Sequence, residues 1–65
     1  MIDPLLALRA RAEARAMLYA RGEYDSIAQA VAPLLNDAQK LAEELGSDVV
    51  HAAIYEPFEL QASER

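Results

Sequence analysis

The natural place to look for chemistry in this sequence is its single imidazole, His51, because histidine is the side chain whose charge changes near neutral pH. A catalytic histidine needs a nucleophile to activate and a group to orient it, and a zinc-bound one needs companion ligands. The chain has no Cys, which excludes disulfides, thiolate metal sites and cysteine nucleophiles together. Neither Ser26 nor Ser47 stands at a spacing that pairs it with His51. Glu43 and Glu44, with Lys40 one turn earlier, read as a solvated helix face with an i,i+4 pair. The only glycines, Gly22 and Gly46, fall at helix ends, so there is no glycine-rich phosphate loop. Tyr19, Tyr24 and Tyr55 suit core and rim packing better than base stacking. These residues predict a protein that is not an enzyme and takes no cofactor or metal.

The elements that would position such residues are helical. Asp3-Pro4 has the form of a helix start, with Asp at the N-cap and Pro at the first helical position, and the spacing predicts a helix over 4–21. Gly22 supplies the left-handed residue that ends it. Ser26 and Gln29 fit a capping box for a second helix over 26–45, stopped by Gly46. Ile27, Val31, Leu34, Leu35, Ala38, Leu41, Ala42 and Leu45 form one stripe along it, opposite Ser26, Gln29, Pro33, Asn36, Asp37, Lys40, Glu43 and Glu44. Pro33 must kink or split this helix. Because the stripe keeps its phase across the ring, a kink with proline on the outer face is favoured over a break near Ala32. Ser47 or Asp48 caps a short third helix over 48–56, which Pro57 stops. A strand through the β-favouring Val49, Val50, Ile54 and Tyr55 would have no partner. A polar tail over 57–65 follows, in which only Phe58 and Leu60 can anchor.

The first helix carries two apolar sides. Leu5, Leu8, Ala12, Ala16 and Tyr19 lie on one, and Leu6, Ala7, Ala10, Ala14, Met17 and Leu18 on the other. Charged seams run between them: Arg9 with Glu13, mildly favourable, and Arg11 with Arg15, mildly repulsive. The pattern alone does not choose which side turns inward. Residues 1–21 sum to +2 and residues 22–65 to −7, so the basic first helix should be drawn to acidic groups of its own chain or of a partner.

Sixty-five residues make one small domain with little surface to bury. Without disulfides or metal, self-association or very good helix packing must compensate. The fold class expected is all-α: an antiparallel helical hairpin plus a short third helix, completing a bundle as a homodimer. Leu6, Ala10, Ala14, Met17 and Leu18 are the candidate interface residues. A compact monomer with the first helix sandwiched between the other two is the competing arrangement. No apolar run is long enough to span a bilayer, and Asp3 and Arg9 break up the signal-peptide pattern, so a cytoplasmic setting is expected. The function expected is that of a non-catalytic interaction module (an adaptor, a regulator or a small subunit of an assembly) whose partner is itself or another helical protein. The alternative is a small nucleic-acid-binding or transcription accessory factor using the arginine helix. It is disfavoured because the would-be reading helix, Leu34 to Leu45, has three carboxylates against one Lys.

Overall fold

The computed structural model describes residues 3–63, with side-chain burial through residue 61. It is all-helical, with no strand among the described residues: α1 (Pro4–Ala20), α2 (Ile27–Val31), a 3-10 turn (Ala32–Leu34), α3 (Leu35–Leu45) and α4 (Ser47–Ser63). Spatially these make three segments, since α2, the 3-10 turn and α3 follow one another without a loop.

Local backbone chemistry sets most boundaries. Asp3 caps α1 by accepting from the Leu5 N–H at 2.8 Å, with Pro4 in the first turn. At the other end Gly22 takes φ 88°, its N–H donates to the Tyr19 carbonyl and the Glu23 N–H to the Leu18 carbonyl, each at 3.0 Å. This pair of bonds, closed through a left-handed residue, satisfies carbonyls that the helix end would leave bare. Ser26 accepts from the Gln29 N–H at 3.1 Å, and the Gln29 side chain reaches back to the Asp25 N–H at 2.7 Å, one residue beyond the reciprocal bond of a standard capping box.

Pro33 resolves into a joint. The ring has no N–H to give, and the backbone tightens into a 3-10 turn in which the Leu35 N–H donates three residues back, to Ala32. Val31, Ala32, Leu34 and Leu35 all stay in the right-handed region, so the chain changes pitch without breaking direction into a loop. The stripe holds its phase: Ala30, Val31, Leu34 and Ala38 are buried, and Ile27, Leu41 and Ala42 pack beside them. All eight residues assigned to the polar face, Pro33 included, are exposed. Leu35 and Leu45 depart from the expected stripe, at 43% and 46% exposure.

The third helix is where the expectation needs correcting. It starts at Ser47, not after a capping Ser47 or Asp48, because Gly46 alone makes the joint. Gly46 closes α3 by donating to Ala42 at 2.9 Å, and its own carbonyl accepts from Val50 at 3.4 Å to open α4. Its φ of 99° and ψ of 142° lie where only glycine sits comfortably. Nor does Pro57 stop the helix, which runs on to Ser63 and equals α1 in length. The supposed polar tail is therefore helical through residue 63, and residues 64 and 65 lie outside the described residues. The physical reason is burial. An interior proline costs a helix about 3 kcal/mol. Here Pro57 is itself buried and Phe58 is only 2% exposed, and burying a phenylalanine contributes about 1.5–3 kcal/mol. Leu60, by contrast, is 52% exposed and anchors little.

One core cluster joins the three segments: Leu8, Ala12 and Ala16 of α1, the stripe of α2–α3, and Val50, Ile54 and Phe58 of α4. The most extensive packing is between α1 and α4, not between α1 and the second segment. Tyr19 meets Phe58 edge to face, with ring centroids 5.8 Å apart, and so ties the end of α1 to the second half of α4.

Two outcomes follow. Phe58→Ala should cost about 3–5 kcal/mol, which consumes most of the roughly 3–10 kcal/mol a chain of this length holds, so the variant's thermal melt by circular dichroism should lose its cooperative transition. Gly46→Ala meets no atom within 4 Å of the added methyl, yet its urea midpoint should correspond to a loss of about 1–3 kcal/mol from backbone strain alone.

Candidate functional site

Packing decides which side of α1 turns inward. Leu8, Ala12 and Ala16 are at most 3% exposed, and Leu5 and Tyr19 pack beside them. The flanks are then held by arginines that reach across to other elements. Arg9 donates to Glu56 of α4 at 2.8 Å instead of pairing with Glu13. Arg11 donates to Asp37 of α3 at 2.7 Å. Arg15 donates to the Tyr24 hydroxyl at 3.0 Å and to the Ala30 carbonyl at 3.2 Å, with its guanidinium 5.9 Å from the Tyr24 ring centroid. The expected repulsion between Arg11 and Arg15 is relieved because their side chains diverge to different partners. Three of the four arginines of the first 21 residues are thus bound to the rest of their own chain, two of them to carboxylates as the charge division of the sequence implied and Arg15 to neutral acceptors.

Among the described residues nothing packs over the outer side of α1. Leu6 is 63% exposed and Met17 51%, Ala10 and Ala14 are exposed, and Leu18 is half-buried. The five candidate residues therefore lie together along one strip, four of them open to solvent. Both other segments pack on the opposite arc, so α1 touches each of them without being enclosed by the pair. Arg21 and Glu13 stand exposed beside the strip, and Asp3 at its start.

Two shallow grooves flank this arrangement. The larger, about 370 Å³, lies between α1 and α3, floored by Pro4, Ala7, Leu8 and Leu41 and rimmed by Arg11, Asp37, Lys40 and Glu44. Its rim alternates in sign: Asp37, Lys40 and Glu44 follow one another a turn apart on α3, and α1 adds Arg11 beside Asp37. The smaller, about 220 Å³, lies between α3 and α4 and includes Leu35, Ala42, Val50, His51 and Tyr55. His51 is exposed and its ring rests on Tyr55, centroids 4.3 Å apart. All three tyrosines pack against the core cluster. Among the described residues no three His, Asp or Glu side chains converge as metal ligands would, and no helix is long and apolar enough to cross a membrane.

Comparison with family models, curated proteins and solved structures finds no match to this chain. Fold and surface are therefore the basis for its class: a small all-helical protein presenting one unpartnered helix face.

The Arg11–Asp37 pair gives a titration that tests the seam. The hydrogen bond from Arg11 holds the Asp37 carboxyl below its ordinary value of 3.8, helped by the charges of Arg11 and Lys40 and opposed by desolvation. A depressed folded-state value means the stabilisation is present above the unfolded value near 3.8 and is lost as pH falls through the lower folded one. Carboxyl-carbon NMR should find Asp37 titrating below 3.8, and Arg11→Gln should move it back up.

Proposed function

We propose that this protein is a non-catalytic interaction module, working as an adaptor, regulator or small subunit, which pairs with a second copy of itself through the outer face of α1. The observation that carries the reading is the strip of Leu6, Ala10, Ala14 and Met17, left open although both other segments pack against α1. Scattered single apolar residues on a surface need no explanation, but a continuous apolar helix face is commonly an interface. Alanines let a second helix approach closely, while Leu6 and Met17 supply the bulk that fills the remaining gaps. Within each chain, α1 and the jointed second segment form an antiparallel hairpin: Arg11 meets Asp37 and Arg15 meets Ala30, in opposite order along the two. Pairing two chains through α1 then brings their long helices into one bundle. The setting is cytoplasmic.

Support for the nucleic-acid alternative is thinner. Arg9, Arg11 and Arg15 already have partners in the chain, which leaves Arg21, the residue that follows α1, as the exposed arginine without a side-chain partner among the described residues. Phosphate would also meet the acidic surface of α3 and α4.

Sedimentation equilibrium over a wide concentration range, with Ala14→Glu beside the parent chain, tests the proposal. Ala14 is exposed, so the variant should keep the parent's helical circular dichroism to within about 0.5 kcal/mol of stability. Its association constant should fall by at least about tenfold, since a two-fold seam sets the two new carboxylates close together. Equal association would move the seam elsewhere, and a variant unfolded at every concentration would assign Ala14 to the chain's own core. Salt-sensitive binding of generic duplex DNA by the parent chain would favour the alternative.

A further inference from the structure

We infer that the second copy lies antiparallel on α1, across a two-fold axis level with Ala12, so that Asp3 of each chain faces Arg21 of the other. This inference rests on the self-association reading above and adds its orientation and register. At about 100° per residue, Asp3 and Arg21 project from nearly the same line of α1 as the centre of the strip, one at each end. Both are exposed, and Asp3 caps Leu5 through one carboxylate oxygen, the other having no hydrogen-bond partner among the described residues. One end of the apolar face is thus acidic and the other basic.

A parallel partner would set Asp3 against Asp3 and Arg21 against Arg21, and would align the two helix dipoles. An antiparallel partner opposes unlike charges at both ends and sets the dipoles head to tail. The same rotation fits the middle of the strip. Residues whose numbers sum to about 24 come opposite one another, which places Ala10 on Ala14 of the second copy, where two small side chains allow close approach, and Leu6 beside Met17 on the same flank. In an antiparallel pair each flank meets its own counterpart, so Glu13 of each chain comes near Arg9 of the other. Arg9 donates to Glu56 through one nitrogen, and a guanidinium has donors to spare.

Area sets the expected strength. The strip from Asp3 to Arg21 is about 27 Å long and one helix wide. Pairing it buries on the order of 600 Å² in total, about half of what stable interfaces begin with. The dimer should therefore be weak and concentration-dependent, forming in a chain whose core is already closed.

Because the sequence has no cysteine, single-cysteine chains report the orientation without interference. Leu6→Cys and Met17→Cys are both at exposed positions and should keep the parent's circular dichroism. An equimolar mixture, oxidised at the highest concentration at which sedimentation finds dimer, should give the mixed Leu6-to-Met17 disulfide well above the half that random pairing yields. Like-with-like disulfides in excess would overturn the antiparallel orientation and support a parallel seam. Random proportions, with dimer present by sedimentation, would overturn the register and move the interface off this strip. A parent chain that stays monomeric at every concentration would overturn the self-association reading itself. Arg21→Glu, which sets like charges at both ends, should weaken association about tenfold at low salt; an unchanged constant would remove the charge argument for this orientation.

Discussion

The fold depends on α4 continuing through Pro57 far enough to bury Phe58 against α1. Without that half-helix the core would be α1 laid on a jointed second segment, with Tyr19 at its edge and little bulk to fill the third side. Alanine dominates the inward face of α1, where Ala12 and Ala16 are completely buried. Such a face contributes little area by itself, and its value is that it lets α4 come close. Apart from Leu8, the large side chains that then close the core, Leu34, Ile54 and Phe58 among them, come from outside α1. A small chain without staples has few ways to gain this burial, which is why a proline in the middle of a helix is tolerated there.

The long-range polar contacts orient what the apolar contacts hold. Arg9, Arg11 and Arg15 point to α4, α3 and α2 in turn, so the arginines of one helix locate every other element of the chain. As exposed or half-exposed pairs they add little stability. Their geometric effect is larger, because they occupy the flanks of α1 and confine its neighbours to one arc. The outer strip stays bare because both sides of the helix are already bounded by these seams.

Helix ends and the face of the second segment were legible in the sequence. Asp3-Pro4, Gly22, Ser26 with Gln29, and Gly46 each act through bonds and dihedrals within a few residues, so their meaning needs no tertiary context. The amphipathic stripe across Pro33 was equally readable, down to the outward placement of the ring. Pro57 was not. Its local rule says stop, and only the apolar surface of α1, some forty residues away in sequence, reverses it. Arg9 is a second case. Glu13, four residues on, is the local partner, while Glu56 is reached only because α4 lies where it does. The choice between the two apolar sides of α1 was likewise hidden, since five residues on one face and six on the other have similar hydrophobicity, and the arc occupied by α3 and α4 decides between them.

That last decision bears on what the protein is for. A helix needs one apolar side to belong to a bundle of this size, and α1 has two. The outward side carries leucine and methionine at Leu6 and Met17, and its other positions are mainly alanines, which are good helix formers whether buried or bare. Leucine and methionine are good helix formers too, so what sets this face apart is the apolar bulk left in solvent at Leu6, 63% exposed, and Met17, 51% exposed. Neither residue adds to the core of the single chain, which α4 closes on the other side of α1. Their placement along one line, between Asp3 and Arg21, is the feature on which the proposed pairing with a second, rotated copy rests.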